Sequence, residues 1–214
     1  MTTIFDETYW NERYGNSGKI WSGNPNPQLV AEAAALDSGS VQAPKKALDV
    51  GCGEGADSVW LAGQGWQVTG VDISTVALQR AAAHAAELEL PGSVAWEHHD
   101  LLGWTPPAAS FDLISAQFMH LPRPDRDKLF ARLAAAVVPG GTLLIVGHAP
   151  SDSAAGAHRA LGADMFFTAK QIAEALDPSQ WDVVVAASRP RSASGPDGET
   201  ITIHDEVMRA VRLK

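Results

Sequence analysis

A glycine-rich loop followed by one carboxylate is the part of this sequence that most clearly indicates a ligand-binding site. Residues 48–55 read LDVGCGEG, and glycines at these positions would let backbone groups approach a ligand without side-chain interference. Asp72 stands 21 residues after Gly51, where its carboxylate could accept hydrogen bonds from two ribose hydroxyls. The two features predict a nucleoside cofactor at the carboxyl edge of a parallel sheet.

The glycine loop alone leaves the cofactor open. Gly51, Gly53 and Ala56 also satisfy the dinucleotide pattern G-x-G-x-x-G/A. The loop therefore fits NAD as well as S-adenosylmethionine, and a glycine loop can also be a tight turn with no ligand.

Three further features favour S-adenosylmethionine. Asp49 stands two residues before Gly51, where a carboxylate suits an ammonium group better than a pyrophosphate. Asp100 and Leu101 follow the third predicted strand and could meet the amino group and a ring nitrogen of adenine. A hairpin at the end of the chain would give the sheet an antiparallel edge, which dinucleotide-binding domains usually lack.

The elements that position these residues alternate between strand and helix, which indicates an α/β fold with a parallel sheet covered on both faces. Strands are predicted at 47–50, 67–71, 94–97, 111–116, 142–146, 181–188 and 200–213, with a turn at 194–198 making the last two an antiparallel hairpin. Helices are predicted at 27–36, from about 58 to 65, from Ser74 to 88, from a cap at Asp125 to 137, and from Thr168 to 176. Residues 5–21 are aromatic and polar and carry no predicted element.

Taken together, the motifs resemble the class I S-adenosylmethionine-dependent methyltransferases over almost the whole chain. The segments that carry this resemblance are 47–55, 71–74 (VDIS), 99–101 (HDL), 111–114 (FDLI) and 139–143 (PGGTL). The resemblance implies a Rossmann-like, seven-stranded, mostly parallel sheet with helices on both faces and strand 7 antiparallel. The chain is accordingly interpreted as a single domain over residues 1–214.

The resemblance also implies roles for particular residues. The methionine part of the cofactor would be surrounded by the loop residues Asp49, Gly51, Cys52 and Gly53. Its amino group would lie near Ala116 and Gln117, which follow the fourth predicted strand. The nucleoside would be held by Asp72 at the ribose, by Ile73 against the adenine, and by Asp100 and Leu101 at the adenine edge.

The aromatic N-terminal segment, residues 1–25, is predicted to form a lid over the bound cofactor. Residues 9–14 (YWNERY) together with Trp21 are similar to small methyltransferases of the tellurite-resistance and thiopurine type. Tyr14 or Trp21 would face the sulfonium, because a cation gains about 0.5–2 kcal/mol against an aromatic ring. The alternative is that these aromatic residues are satellites of the core.

Two histidines are candidate catalytic bases. His120 follows the fourth predicted strand and His148 the fifth, so both should face the cleft, and histidine titrates near neutral pH. Each has an alternative role in shaping the pocket. Cys52 is interpreted as a small spacer, and no metal site is expected, since the adjacent His98 and His99 would point to opposite faces of a strand.

The composition of the chain indicates which kinds of binding partner and cellular location to expect. The net charge is −9, from 16 basic and 25 acidic residues, which argues against nucleic acid because phosphate contacts need Lys and Arg. A single cysteine, no apolar stretch of membrane length and no signal peptide at the N-terminus predict a cytoplasmic protein.

We therefore expect a monomer or homodimer that methylates a small molecule, with the acceptor between residues 5–25, the segment after 120, and residues 148–167. The alternatives are an NAD(P)-dependent oxidoreductase, which would need a catalytic set such as Tyr with Lys, or a non-catalytic cofactor-binding domain. The acceptor atom is not predicted.

Overall fold

The computed structural model describes residues 5–16, 18, 23–34, 36–37, 39–40, 43–119, 121–154, 162–194 and 199–214. The helices are α1 (Glu7–Gly15), α2 (Pro27–Ala33), α3 (Ala56–Gly63), α4 (Thr75–Ala86), α5 (Arg123–Ala136), α6 (Pro150–Ala154) and α7 (Ala169–Glu174), with a 3-10 turn at Ala163–Met165. The strands are β1 (Gly39–Ser40), β2 (Ala43–Pro44), β3 (Lys46–Val50), β4 (Gln67–Asp72), β5 (Ser93–His98), β6 (Phe111–Gln117), β7 (Val137–His148), β8 (Trp181–Ser194) and β9 (Thr200–Arg212).

The main sheet has seven strands in the order β5-β4-β3-β6-β7-β9-β8. The first five strands in this order pair in parallel, whereas β9 is antiparallel to both β7 and β8. The mostly parallel, seven-stranded sheet and the C-terminal antiparallel hairpin are thus confirmed. Of the turn predicted at 194–198, Ser194 is the last residue of β8, and residues 195–198 lie outside the described part of the chain.

The sheet is buried on both faces, as a parallel sheet needs to be. On one face Leu48 and Val50 pack in a cluster with Leu129 and Leu133 of α5. On the other face Ala47 packs with Leu29 of α2 and with α3. Because side chains alternate along a strand, successive residues of β3 pack into the two cores in turn. The glycine loop follows directly after this strand. None of the helices in the described ranges is long and apolar enough to cross a membrane.

The N-terminal helix α1 was not predicted from the sequence. It begins after Asp6, whose side chain accepts a hydrogen bond from the Tyr9 amide at 2.9 Å. The helix packs against α4, and its Tyr14 is buried. Four aromatic residues between 5 and 14 obscure the helical periodicity, so the capping aspartate was the only local signal.

The predicted start of the α5 helix at Asp125 is wrong. The helix begins at Arg123, with Pro122 at the N-cap and no side-chain cap, and Asp125 lies in the first turn. Pro124 fits the first turn because its φ is already helical and the first amides need no intrahelical acceptor. The strand predicted at 142–146 is longer in the structure, since β7 runs from Val137 to His148 and includes Pro139–Gly141.

Candidate cofactor and acceptor site

A cavity of about 960 Å³ opens at the carboxyl ends of the parallel strands. Its volume lies at the upper end of the range for small-molecule sites, about 300–1,000 Å³. The walls come from the loops after β3 to β7, from α1, from residues 23–27 and from Arg191 of β8. The cavity therefore extends along the sheet edge from β5 to β8.

The glycine loop makes a tight turn directly after β3. Gly51, Gly53 and Gly55 have φ values of +71°, +53° and +83°, a left-handed conformation that glycine adopts without steric cost. The amides of Gly51 and Cys52 both donate to the Val71 carbonyl, at 2.8 and 3.0 Å. These bonds tie the loop to the end of β4 and bring it beside Asp72.

Asp72 connects the two strand ends. Its carboxylate accepts hydrogen bonds from the Gly53 amide at 2.9 Å and from the Ser74 amide at 2.8 Å. The residue is 8% exposed, and burial raises its pKa although these backbone hydrogen bonds oppose the shift. A carboxylate has about four lone-pair sites, so acceptor capacity remains on the side that lines the cavity.

Asp49 lies in β3 just before the loop. It is 2% exposed, accepts a hydrogen bond from the Ser58 hydroxyl at 2.6 Å, and does not line the cavity. Burial, followed by the charge of Asp57, raises its pKa to about 8. Any interaction of Asp49 with the methionine ammonium would therefore act across the loop, and its cofactor role stays a prediction.

Asp57 is a residue that the sequence analysis missed. It lies in the first turn of α3, lines the cavity, and accepts a hydrogen bond from the Asn26 amide at 2.6 Å. Burial raises its pKa to about 6, against the opposing effect of that hydrogen bond. The bond fastens the segment before α2 to the glycine-loop side of the cavity.

Cys52 lines the cavity as a free, buried cysteine. Burial, with the nearby carboxylates of Asp49 and Asp72, raises its pKa well above the usual value. A thiol nucleophile must be a thiolate, so the geometry supports the interpretation of Cys52 as a spacer.

The three residues predicted to contact adenine lie together in the wall at the β4–β5 end of the cavity: Ile73, Asp100 and Leu101. Asp100 is exposed and accepts a hydrogen bond from the Leu102 amide at 2.9 Å. The carbonyl of Leu101 accepts from Arg132 at 2.6 Å, which anchors this loop to α5.

Gln117, the last residue of β6, lines the cavity. Its side-chain amide nitrogen donates to the Ser115 hydroxyl at 2.9 Å, while its Oε1 is buried and has no hydrogen-bond partner in the described part of the chain. Ala116 and Gln117 lie within β6 rather than after it. Ala116 is fully buried and does not line the cavity, so only Gln117 has a side chain in the wall.

His148 lies at the end of β7 in the cavity wall, with its ring stacked on Phe118 at a centroid distance of 4.4 Å. Phe118 has a φ of +54°, an uncommon conformation for a residue with a side chain, and such strain is concentrated at functional sites. The predicted residues Trp21 and His120 fall outside the described part of the chain.

The N-terminal segment forms the remaining wall. Aromatic residues from α1 and its start line the cavity: Phe5, Tyr9, Trp10 and Tyr14. The Oδ1 of Asn11 accepts hydrogen bonds from the Ser74 hydroxyl at 2.8 Å and from the Val76 amide at 3.3 Å. The segment is therefore docked beside Asp72. Across the described residues, no three His, Cys, Asp or Glu side chains come together in a way that could hold a metal ion.

Comparison with known proteins shows that the segment containing the glycine loop is similar to methyltransferases. Residues 47–141 match the family model described as a methyltransferase domain. A probable chloroplastic tocopherol O-methyltransferase of Oryza sativa subsp. japonica is 34% identical over 114 residues, which are 53% of this chain and 32% of that protein. The chain spans less than half the length of the first curated relatives it matches.

Solved structures share the fold over nearly the whole chain. A protein studied for the conversion of a disulfide bond into a thioacetal group in echinomycin biosynthesis has a TM-score of 0.72 at 21% identity, covering 97% of this chain and 92% of its own. Magnesium protoporphyrin IX methyltransferase of Synechocystis PCC 6803, crystallised with S-adenosylhomocysteine, has a TM-score of 0.66 at 19% identity, covering 96% and 97%. At these identities the likeness concerns the fold.

Proposed function

We propose that this chain, whose residues 47–141 match the methyltransferase-domain model, is a class I methyltransferase that transfers a methyl group from S-adenosylmethionine to a small molecule. The observation that carries the proposal is the continuous wall made by the glycine loop, Asp72 and Gln117 at one cavity. The same family assignment argues against the NAD(P)-dependent alternative.

The donors and acceptors in the wall suit the polar groups of the cofactor. Gln117 lines the cavity in β6, one strand away from the glycine loop, and a rotation of its side chain would present the buried, unpartnered Oε1 to the methionine ammonium. The remaining lone pairs of Asp72 can accept the ribose hydroxyls. Asp100 and Leu101, two strands away from the loop, can meet the adenine edge beside Ile73.

S-adenosylmethionine supplies an electrophilic methyl carbon when bound, so the chain's main task is to position the nucleophile and to exclude water. Alignment of this kind is worth up to roughly 7–11 kcal/mol in ideal cases. The aromatic side chains of α1 line the cavity and would help to keep water from the reacting atoms.

A general base is needed only where the acceptor carries a proton at neutral pH. His148 lies in the wall at the β7 end, where it could take that proton. Its stacking on Phe118 equally supports a role in shaping the pocket, and the role of His120 stays a prediction.

The acceptor is proposed to be a small molecule. The cavity of about 960 Å³ is at the upper end for a single ligand site, and the net charge of −9 disfavours a nucleic acid. Relatives are named as tocopherol and ubiquinone-biosynthesis O-methyltransferases, and a structural neighbour acts on magnesium protoporphyrin IX. We expect a cytoplasmic monomer or homodimer.

Two measurements test the proposal. S-adenosylhomocysteine should raise the melting temperature, since a ligand at 100 times its Kd stabilises the folded state by about 2.7 kcal/mol, whereas NADH should leave it unchanged. A labelled-methyl assay with thiols, phenols, amines and chalcogen anions should then find an acceptor. Stabilisation by NADH alone would refute the cofactor, and binding without transfer to any acceptor would favour the non-catalytic alternative.

A further inference from the structure

A cluster of five charged side chains lies between the β8–β9 hairpin and α2. It contains the guanidinium groups of Arg189, Arg191 and Arg209 and the carboxylates of Glu32 and Asp205. Glu32 pairs with Arg189 and, at 2.7 Å, with Arg209, while Asp205 pairs with Arg191. Three cations therefore face two anions in a protein whose net charge is −9.

Arg191 is the member of this cluster that reaches the cavity. Its Nε donates to both carboxylate oxygens of Asp205 at 2.9 Å, and its guanidinium lies 5.9 Å from the ring centroid of Phe118. The side chain is 32% exposed and lines the cavity. An arginine has five N–H donors, and in the described part of the chain the four terminal ones donate to no other residue.

The position of Arg191 separates it from the groups that suit the cofactor. Asp72 and Gln117 are the last residues of β4 and β6 and the glycine loop follows β3, whereas Arg191 belongs to β8 at the far edge of the sheet. It shares its end of the cavity with His148 and Phe118. Asp205, the one carboxylate that pairs with Arg191 among the described residues, is fully buried and also accepts from Gln28 at 3.2 Å, so it holds the guanidinium at the cavity wall.

We infer that Arg191 binds an anionic group of the acceptor, so that the substrate class is a small molecule carrying a carboxylate or a comparable oxyanion. A planar guanidinium with unused N–H donors is suited to such groups because it can donate two parallel hydrogen bonds. The excess positive charge of the cluster favours an anion at this point. The inference rests on the proposed methyl transfer and names the acceptor of that same cavity.

The alternative is that Arg191 only ties β8 to β9 and supports Phe118. The test must therefore keep the fold, because removing Arg191 alone would leave Asp205 buried without its partner. The double variant Arg191→Met with Asp205→Asn removes both charges and retains an amide oxygen for Gln28. Arg123→Met is the matched control, since that arginine is 74% exposed and lies at the start of α5.

Benzoate and benzamide are suitable probes because they differ in charge but little in shape, and inorganic phosphate tests an anion without a ring. Calorimetry on protein saturated with S-adenosylhomocysteine should show benzoate binding about 10- to 150-fold more tightly than benzamide, the range for one hydrogen-bonded charge. The preference should disappear in the double variant and persist in Arg123→Met. Competition by phosphate would indicate that the oxyanion is recognised without the ring, and its absence that the carboxylate is recognised together with the ring.

Equal binding of benzoate and benzamide by the unmodified protein would overturn the inference, as would a preference that survives in the double variant. These outcomes are distinguishable from failure of the proposed function, in which S-adenosylhomocysteine itself would not bind. Labelled-methyl assays with 4-mercaptobenzoate and 4-mercaptobenzamide extend the test to turnover, where the loss should appear in KM for the acid and leave the amide unchanged.

Discussion

Replacement of Asp72 should affect both stability and cofactor binding, and the structure separates the two effects. The carboxylate accepts the amides of Gly53 and Ser74, which are buried with it. Asp72→Ala leaves both donors without a partner, at a cost of about 1–3 kcal/mol each. Burial raises the pKa of Asp72, so the ionised group is itself costly to bury, and the loss should lie near the lower end, about 2–3 kcal/mol in unfolding free energy.

Asp72→Asn should cost less than Asp72→Ala. The amide keeps one acceptor oxygen and turns its NH2 group toward the other backbone donor, so about one hydrogen bond is lost, or roughly 1–2 kcal/mol. Both variants should still fold, because a domain of this kind has about 5–15 kcal/mol of stability. Both should bind S-adenosylhomocysteine about 10- to 150-fold more weakly, the value for hydrogen bonds to one charged group.

Urea unfolding measures the first effect and calorimetry with S-adenosylhomocysteine the second. Asp112→Asn is a matched control, because Asp112 also accepts a backbone amide, that of Lys46 at 2.9 Å, but lies at the start of β6, away from the cavity. The reasoning is refuted if the Asp72 variants bind the cofactor product as tightly as Asp112→Asn does, or if Asp72→Ala is as stable as the unmodified protein.

Two further predictions concern the same end of the cavity. The affinity for S-adenosylhomocysteine should rise with pH between about 6 and 8, by up to about tenfold per unit, because the pKa of Asp49 is raised to about 8 and the ligand's ammonium favours the ionised carboxylate. 5′-Methylthioadenosine, which lacks the ammonium, should show no such slope, nor should Asp49→Asn; equal slopes for both ligands would contradict the role of Asp49. Asn11→Ala removes the bonds that dock α1 on Ser74 and Val76, so it should weaken S-adenosylhomocysteine binding about 2- to 10-fold and speed limited proteolysis after Arg13. Cleavage that is equally slow in the variant and the unmodified protein, with and without ligand, would show that α1 is a fixed part of the core rather than a lid.

The glycine-loop side of the site could be predicted because its determinants are local. Strand β3, the glycine loop and Asp72 are close to one another in the sequence. They also lie together in space, because parallel strands bring their carboxyl ends to one edge of the sheet. The glycines at 51, 53 and 55 have the left-handed φ values that only their residue type makes easy. Here sequence spacing and spatial proximity coincide.

The other end of the cavity could not be predicted for the opposite reason. Arg191 stands more than 70 residues after Phe118 in the sequence, and the two meet only because β8 pairs with β9 and β9 with β7. The hairpin itself was predicted, but its register was not, and register decides which side chains face the cavity. The docking of α1 through Asn11 likewise depends on a tertiary contact that leaves no periodic pattern.

The walls of the cavity come from two different parts of the sequence. The walls suited to the cofactor come from one continuous segment of the chain, β3 to β6. The other walls include residues of the N-terminal helix α1 and of the C-terminal β8–β9 hairpin. On the proposed role of Arg191, changes in β8 would alter which acceptor binds and leave the glycine-loop wall intact. For protein engineering, β8 is the strand to vary, since β9 carries the fully buried core residues Val207, Met208 and Ala210 and has to be kept.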